Sequence, residues 1–305
     1  MRATFVETLI DITKKGHDVH LLTADLGFGL LEKFIEKFPD RFTNVGVSEA
    51  NMIGVAAGMA IRGIRVFCYS IAPFIIFRTL DQIRSDLCSM NLPVTLVAAG
   101  GGLSYGMEGM THYAIEDLAI TRALPNMIVL VPADPIETEV LTAETVNFNS
   151  PCYLRLGGKV EPKVYKNGHL PTFGIIECLH NKGNIAIIAN GTMVLRAEKA
   201  IELLKKENIF CRLYSLHTVK PIDIVGIKKI AGTCKLIVTI EEHSIINGIG
   251  TAIAEILFEN SYHGKFVKLG LPDEYPKQFG SRDWMRDYYK LDPKNIASTI
   301  KKLLL

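Results

Sequence analysis

The segment RVFCYSIAPFIIFRTLDQIRSDLCSMNLPVTLVAAGGG, residues 65–102, decides the fold. Two short, largely apolar runs, at 65–70 and 93–99, flank a helical pattern over 74–91. Two buried strands joined by a helix are typical of a parallel βαβ unit. The glycine triplet at 100–102 follows the second strand and predicts a loop that can approach a ligand closely.

The same alternation of strands and helices continues on both sides of this unit. In the first half, further strands are expected at 19–24, 127–132 and 152–156, and helices at 29–38, 50–62, 115–124 and 135–147. In the second half, strands are expected at 184–189, 209–216 and 235–242, and helices at 194–207, from 250 onward and at 295–305. Such an alternation predicts mostly parallel sheets that helices cover on both faces.

The alternation lapses between Gly157 and Gly183, where prolines and glycines accumulate. A chain of 305 residues is long enough for about two domains. We therefore expect an α/β protein of two consecutive doubly wound domains, with a first domain at 1–165, a linker at 166–181 and a second domain at 182–305.

Composition argues against several classes of protein. The 34 basic and 32 acidic residues leave a net charge of +2, which is too even for non-specific nucleic-acid binding. The six cysteines contain no CxxC pair, so neither a zinc site nor a redox pair is expected. Cysteines of this kind are typical of a reduced, cytoplasmic protein.

The chain also offers no convincing membrane segment. Its longest uncharged stretch, 87–107, contains Pro93 and the glycine triplet, which fit a strand and a loop better than a membrane span. The N-terminal segment MRATFVETLIDITKKG is interrupted by charges, which favours an amphipathic helix over a signal peptide.

The segment NVGVSEANMIGVAAGMA, residues 44–60, places Ser48 at an expected helix start and Glu49 in the first turn. A carboxylate in the first turn complements the helix dipole, and this alone would explain Glu49.

Other candidate residues lie at expected strand ends and helix starts. His112 follows the glycine-rich loop, and it could bind a hydroxyl group, act as an acid or base, or simply bond to the backbone. Phe74 and Phe77 share one helical face, where they could pack in a core or stack on a flat heterocycle. Arg155 closes an apolar strand and needs an anionic partner, either a structural carboxylate or a substrate phosphate.

The sequence Gly248-Ile-Gly250 imitates part of a dinucleotide-binding fingerprint. Ile253 stands where the third glycine would be, and the preceding strand is not the first of its domain. Nicotinamide-dinucleotide binding is therefore not expected.

Four segments, in order, resemble blocks of the transketolase family over essentially the whole chain. They are the stretch from Asp25-Leu26-Gly27 through FPDRFTNVGVSEANMIGVAAGMA, then EGMTHYAIEDLAITRALPNMIVLVPADPIE, HTVKPID and EEHSIINGIG. The resemblance implies a pyrimidine-binding domain followed by a transketolase C-terminal domain, with thiamine diphosphate as the cofactor.

The resemblance also implies roles for single residues. In this family the glutamate that matches Glu49 is catalytic, because it hydrogen-bonds N1′ of the cofactor's aminopyrimidine. Phe74 and Phe77 would stack on that ring. Glu108 and His112 would bind hydroxyls of the sugar donor, with His112 in a catalytic position, and Arg155 would hold the donor's terminal phosphate.

Some positions depart from the family pattern. Glu108 replaces the usual Asp, Met110 the usual Pro and Tyr113 the usual Gln. Gly100 corresponds to a phosphate-binding His, and the region near Gly29 to a family Ser. The grip on a donor phosphate is therefore expected to be reduced.

Family members hold the diphosphate and Mg²⁺ in a separate domain that carries Gly-Asp-Gly and a later Asn. This chain contains no Gly-Asp-Gly, and a phosphate-bound metal needs carboxylate and carbonyl oxygens in a fixed loop. The resemblance thus implies that a separate N-terminal subunit holds the diphosphate and Mg²⁺, that this chain binds no metal itself, and that the subunits form an α2β2 assembly.

The implied activity is transfer of a two-carbon ketol unit from a ketose, or a ketose phosphate, to an aldose. Two alternatives use the same cofactor: a 1-deoxyxylulose-5-phosphate-synthase-like enzyme and the β subunit of a 2-oxoacid dehydrogenase. Thr111-His112 and PNMIVLVPAD favour the first two activities over the third. A non-catalytic assembly subunit is a further alternative, against which the retention of Glu49, His112 and Arg155 speaks.

Overall fold

The computed structural model describes residues 1–158, 161–165 and 168–304, which form two sheets flanked by helices. Residues 166 and 167 of the expected linker, and residue 305 of the expected last helix, lie outside the described residues. No helix within the described part of the chain is long and apolar enough to cross a membrane.

Most strands are short and largely buried. They are β1 (Val19–Thr23), β2 (Phe42–Asn44), β3 (Arg65–Ile71), β4 (Val94–Ala99), β5 (Ile128–Leu130), β6 (Cys152–Leu156), β7 (Glu177–His180), β8 (Ile185–Ala189), β9 (Cys211–Ser215), β10 (Thr218–Lys220), β11 (Leu236–Ser244) and β12 (Lys265–Leu271). The helices are α1 (Arg2–Lys14), α2 (Glu32–Lys37), α3 (Glu49–Ile61), α4 (Ala72–Phe77), α5 (Leu80–Gln82), α6 (Asp117–Ala123), α7 (Pro135–Glu144), α8 (Met193–Lys205), α9 (Ile224–Ala231), α10 (Ile249–Glu259), α11 (Arg282–Tyr288) and α12 (Pro293–Leu304).

The first sheet has seven strands in the order β10-β5-β6-β4-β3-β1-β2, and only the β10–β5 pair is antiparallel. The second sheet has five strands in the order β12-β11-β8-β9-β7, and only the β7–β9 pair is antiparallel. Two consecutive α/β units with mostly parallel sheets are thus confirmed.

Two strands depart from the domain boundaries that the sequence suggests. β7 lies in the stretch expected as a linker and joins the second sheet. β10 follows β9 of the second sheet, yet it pairs with β5 at the edge of the first sheet. The apolar core is also continuous, because one cluster contains Leu22 and Met52 of the first half together with Ile188 and Ile237 of the second.

The helix expected over 74–91 is interrupted. α4 ends at Phe77, α5 is a single turn, and a π-helical turn at Ile83–Cys88 completes the segment. Thr79 between α4 and α5 has φ −122° and donates its hydroxyl to the carbonyl oxygen of Ile75 at 2.6 Å. Such side-chain bonds to the preceding turn compete with regular helical geometry.

The carboxyl ends of the central strands of the first sheet lie side by side. Thr23 of β1 is in register with Tyr69 of β3, and Ala99 of β4 is in register with Ile71 of β3 and Leu156 of β6. In open parallel sheets ligands bind beyond this edge. The segments that carry the candidate site residues leave the sheet here.

Gly102 is the point where the glycine loop meets the second half of the chain. Its φ is +66°, and a Cβ at this position would lie 2.8 Å from the carbonyl oxygen of Glu242. Its backbone also exchanges two hydrogen bonds with Ala114, at 2.9 and 3.0 Å. Glycine is required here for both conformation and space.

Gly102→Ala should lower the free energy of unfolding by about 2–4 kcal/mol, because alanine is strained at positive φ and the backbone contact must also be relieved. Gly63→Ala is the matched control, since Gly63 has φ +90° and a Cβ there would meet nothing within 4 Å. Gly63→Ala should lower the free energy of unfolding only by the cost of the positive φ, about 1–2 kcal/mol. Urea denaturation followed by circular dichroism measures both losses, and equal losses would contradict a steric role for Glu242.

Candidate active site

Three separate segments bring Glu49, Phe74 and His112 to the carboxyl edge of the first sheet. Glu49 is the first residue of α3, which follows β2. Phe74 lies in α4, which begins directly after β3 with Pro73 in its first turn, a position that suits proline. His112 ends a 3-10 turn after the glycine loop that follows β4.

Arg78 joins these residues into one group, which we call the Glu49 cluster: Glu49, Phe74, Arg78 and His112. Nη1 of Arg78 lies 3.3 and 3.4 Å from the two carboxylate oxygens of Glu49. The guanidinium carbon lies 3.9 Å from the centroid of the Phe74 ring. The ring of His112 meets that of Phe74 edge to face, with centroids 5.0 Å apart.

The chemistry of the Glu49 cluster suits a flat, polar heterocycle. Glu49 is a buried carboxylate, and its side chain is 5% exposed. Phe74 offers a ring face, and the imidazole of His112 lies beside it. A buried carboxylate needs a hydrogen-bond donor, and an aromatic face favours a planar partner.

Phe77 and Glu108 are not part of this group. Phe77 is exposed at the end of α4, and Glu108 is exposed on the loop before the 3-10 turn. The structure therefore brings together Glu49, Phe74 and His112 but leaves Phe77 and Glu108 outside the cluster.

Arg155 points into the protein interior, where its partner is a carboxylate. Its Nε lies 2.7 Å from Oδ2 of Asp117 and its Nη2 lies 3.0 Å from Oδ1. Nη2 also donates to the carbonyl oxygens of Ala114 and Glu242, at 2.7 and 3.2 Å. The structural carboxylate is thus the partner found, and the expected contact with a donor phosphate gains no support.

Neighbouring groups stabilise this ion pair. Burial opposes the charge of Arg155, but the adjacent Asp117 outweighs it and raises the pKa of the guanidinium. Tyr153 donates its hydroxyl to Oδ2 of Asp117 at 2.6 Å, which satisfies the carboxylate further. A buried ion pair is retained only when its remaining hydrogen-bonding groups are also satisfied.

Glu242 and His243, at the end of β11, fix the same region from the second half. Burial tends to raise the pKa of Glu242, but Arg282 and Arg286 outweigh it and hold this pKa far below its usual range. Its ionised carboxylate accepts a hydrogen bond from the backbone N–H of Leu103 in the glycine loop at 3.0 Å. Burial lowers the pKa of His243 to about 4, and Nε2 of this neutral ring accepts from the N–H of Ala119 in α6 at 3.3 Å.

A cavity of about 280 Å³ lies beyond the ends of β1, β3 and β4. Its lining includes Arg2, Tyr69 and Tyr105. Arg2 is only 9% exposed, and its one polar contact among the described residues is donation from Nε to the carbonyl oxygen of Gly157 at 3.3 Å. A buried guanidinium without a carboxylate partner suits an anionic ligand.

Tyr105 connects this cavity to the Glu49 cluster. Its ring centroid lies 5.1 Å from the guanidinium carbon of Arg2 and 5.9 Å from the centroid of the His112 ring. A Cβ at Gly100 would lie 2.1 Å from the Tyr105 ring. Tyr105 therefore fills the space that a side chain at position 100 would need, which explains the glycine found there.

Three residues of this edge were not assigned a role from the sequence. Arg78 follows Phe77 directly and was visible in the same segment, but nothing in the spacing indicated a bond to Glu49. Arg2 and Tyr105 are far apart in the sequence and belong to no common motif, so only the fold reveals that they meet.

A larger groove, of about 740 Å³, lies in the second half between α8 and the C-terminal helices and contains none of the candidate residues. Part of its charged lining is engaged in ion pairs, such as those of Arg196 with Asp283 and Asp287. We therefore take the edge of the first sheet as the candidate active site.

Comparison with known proteins identifies both halves of the chain. Residues 1–159 match the family model described as transketolase, pyrimidine binding domain, and residues 174–296 match transketolase, C-terminal domain. A protein of Methanocaldococcus jannaschii with the provisional name transketolase C-terminal section is 37% identical over 303 residues, which cover 98% of this chain and 95% of that protein. One subunit of the apulose-4-phosphate transketolase of Phocaeicola vulgatus is 31% identical over 300 residues, with coverage of 98% and 95%.

A solved structure described as a split gene transketolase, inactive beta4 tetramer, is also similar. It has a TM-score of 0.89 and 32% identity, and the match covers 99% of this chain and 97% of that one. Proteins named 1-deoxy-D-xylulose-5-phosphate synthase match as well, but this chain spans only 46% to 49% of their length.

Removing either partner of the Arg155–Asp117 pair should destabilise the protein strongly. Arg155→Met and Asp117→Asn should each lower the free energy of unfolding by about 3–5 kcal/mol, because each leaves an uncompensated buried charge. The double variant Arg155→Met/Asp117→Asn should lose less than the sum of the two single losses, as chemical denaturation can measure.

The exposed pair Arg41–Asp18, at 2.8 Å with side chains 39% and 68% exposed, provides the control. Arg41→Met should lose no more than about 1 kcal/mol. A loss of the same small size for Arg155→Met would contradict the structural role of the buried pair.

Proposed function

We propose that this chain, which belongs to the transketolase family, is the C-terminal subunit of a two-component, thiamine-diphosphate-dependent transketolase. It transfers a two-carbon ketol unit from a ketose or ketose phosphate to an aldose. The observation that carries the proposal is the convergence of Glu49, Phe74 and His112 at one sheet edge.

The Glu49 cluster fits the aminopyrimidine of the cofactor. In the proposal Glu49 hydrogen-bonds N1′, Phe74 lies against the ring, and His112 binds a hydroxyl of the donor next to the reacting carbons. Thiamine diphosphate, when bound, supplies the group that accepts the ketol unit and its electrons. Phe77 and Glu108 are exposed, so their proposed contacts with cofactor and donor depend on closure by a partner.

The diphosphate and Mg²⁺ are proposed to lie on a separate N-terminal subunit. Among the described residues no group of three His, Cys, Asp or Glu side chains could hold a metal ion. Exposed apolar side chains surround the candidate site: Phe28 (78%), Val47 (74%), Met107 (71%) and Phe279 (63%). Such a patch is typical of a protein interface, and we assign it to the partner subunit in an α2β2 assembly.

Arg2 is the proposed anchor for the far end of the donor. Arg155 is committed to Asp117, whereas Arg2 has no carboxylate partner among the described residues and lines the cavity next to Tyr105. A guanidinium in that position suits a phosphate group. The cavity is small and position 100 carries no side chain, so in this proposal Arg2 makes the main contact with the phosphate.

The alternatives differ in substrate or in activity, not in the fold. A 1-deoxyxylulose-5-phosphate-synthase-like enzyme or a 2-oxoacid dehydrogenase subunit would consume a 2-oxoacid, and an assembly subunit would consume nothing. Co-expression with the product of a neighbouring gene, followed by assays with ketoses, ketose phosphates and 2-oxoacids, separates these functions.

The isolated chain should show no ketol transfer, and it should bind thiamine diphosphate weakly. Ring contacts alone leave the most highly charged part of the cofactor without partners. Calorimetry with and without Mg²⁺ measures the affinity, and sub-micromolar binding by this chain alone would refute the division of the site between two subunits.

Glu49→Gln should lower kcat of the reconstituted enzyme by about 10²–10⁴, the range for loss of an acid–base group. The amide keeps the shape of the side chain but cannot supply the proton. Size-exclusion chromatography should show normal assembly, and Glu36→Gln, an exposed position in α2, is the control that should keep full activity. Near-normal kcat for Glu49→Gln would mean that Glu49 only complements the dipole of α3.

Arg2→Met should raise KM for phosphorylated donors by about 10- to 100-fold and leave KM for unphosphorylated donors nearly unchanged. Steady-state kinetics with both kinds of donor provide the measurement. Arg62→Met removes an exposed arginine at the end of α3 and should affect neither KM. An equal rise for both kinds of donor would mean that Arg2 acts only through its bond to Gly157.

A further inference from the structure

We propose that Arg78 occupies the place of the aminopyrimidine as long as no cofactor is bound, and that it must leave Glu49 for the cofactor to bind. This inference rests on the proposed function, and it concerns a residue to which that function gives no role.

Arg78 makes both contacts that the proposed function assigns to the cofactor ring. Its planar guanidinium lies over the face of Phe74, with 3.9 Å between its central carbon and the ring centroid. Its Nη1 reaches both carboxylate oxygens of Glu49. A planar donor that is stacked on Phe74 and bonded to Glu49 therefore already fills the site.

One ligand can make these contacts at a time. The carboxylate of Glu49 is 5% exposed, and among the described residues Arg78 is the only side chain that hydrogen-bonds it. The face of Phe74 that carries the guanidinium is closed to a second planar group at stacking distance. Cofactor binding and the Glu49–Arg78 contact are thus mutually exclusive.

Arg78 is held weakly enough to be displaced. Its side chain is 51% exposed, and it lies just after the end of α4, which has only six residues. Its bonds to Glu49, at 3.3 and 3.4 Å, are long for charge-assisted hydrogen bonds. Half-exposed ion pairs contribute little to stability because water screens them.

The same contact explains how the subunit tolerates an empty site. Without a partner, the buried carboxylate of Glu49 would be desolvated and unpaired. Arg78 satisfies it until the cofactor binds, and the half-exposed side chain can then swing out to solvent or to the partner. In this role Arg78 lowers the apparent affinity for the cofactor, because the cofactor must first replace it.

The test measures thiamine diphosphate affinity in the preassembled two-subunit protein, by calorimetry in the presence of Mg²⁺. Arg78→Ala should tighten binding by about three- to tenfold, the combined size of a half-exposed ion pair and a cation–π contact. Arg78→Lys keeps the charge but not the planar group, and it should fall between Ala and wild type. Arg84→Ala removes an exposed arginine six residues further on and should leave the affinity unchanged.

Unchanged or weaker cofactor binding by Arg78→Ala would overturn the inference, since Arg78 would then not compete with the ring or would help to hold it. Thermal unfolding of the isolated subunit gives a second readout: Arg78→Ala should unfold at a lower temperature than Arg84→Ala. The failure of the proposed function looks different. It would appear as a wild-type assembly without ketol transfer, whereas an active wild type with unchanged affinity in Arg78→Ala removes only the present inference.

Discussion

The buried ion pair between Arg155 and Asp117 is the constraint on which the rest of the site depends. It links the end of β6 to the first residue of α6, and through Arg155 it also reaches the backbone of Glu242 in the second half. A Cβ at Gly101 would lie 2.5 Å from Nε of Arg155, so the glycine loop closes directly over the guanidinium. The buried side chains of Arg155 and Asp117 thus help to hold the loop that carries His112. Because a half-broken buried pair is very unfavourable, these contacts favour the observed position of the loop.

The carboxyl edges of the two sheets differ in what occupies them. In the first sheet the carboxyl edge is open and holds the Glu49 cluster and the cavity next to Arg2. In the second sheet the equivalent crevice beyond β8 and β11 is filled by the protein itself, because Glu242 bonds Thr192, Arg282 and Arg286 there. These bonds engage the carboxylate of Glu242, while the groove of about 740 Å³ beside α8 stays open. Through Glu242 the second half therefore supports the glycine loop of the first half.

Much of this arrangement could be predicted from the sequence, for reasons that are local. Short apolar strands alternating with helices determine parallel sheets, and Glu49, Phe74 and His112 each lie at a junction between a strand and a helix, where the carboxyl edge forms. The partner of Arg155 was harder to predict from the sequence. It depends on which carboxylate the fold brings near, and Asp117 is 38 residues away. The interruption near Thr79 was missed because a single side-chain bond to Ile75 competes with an otherwise regular helical pattern.

The position of β10 limits how this protein can be divided or recombined. The strand is encoded in the second half, but its backbone completes the edge of the first sheet beside β5. A truncated chain that ends before the second half would expose the unpaired edge of β5, and such edges recruit strands from other molecules. A chimera that exchanges second halves between relatives must likewise import a β10 that matches its new neighbour. The two α/β units are therefore not easily separated into independent chains, because β10 belongs to one in sequence and to the other in structure.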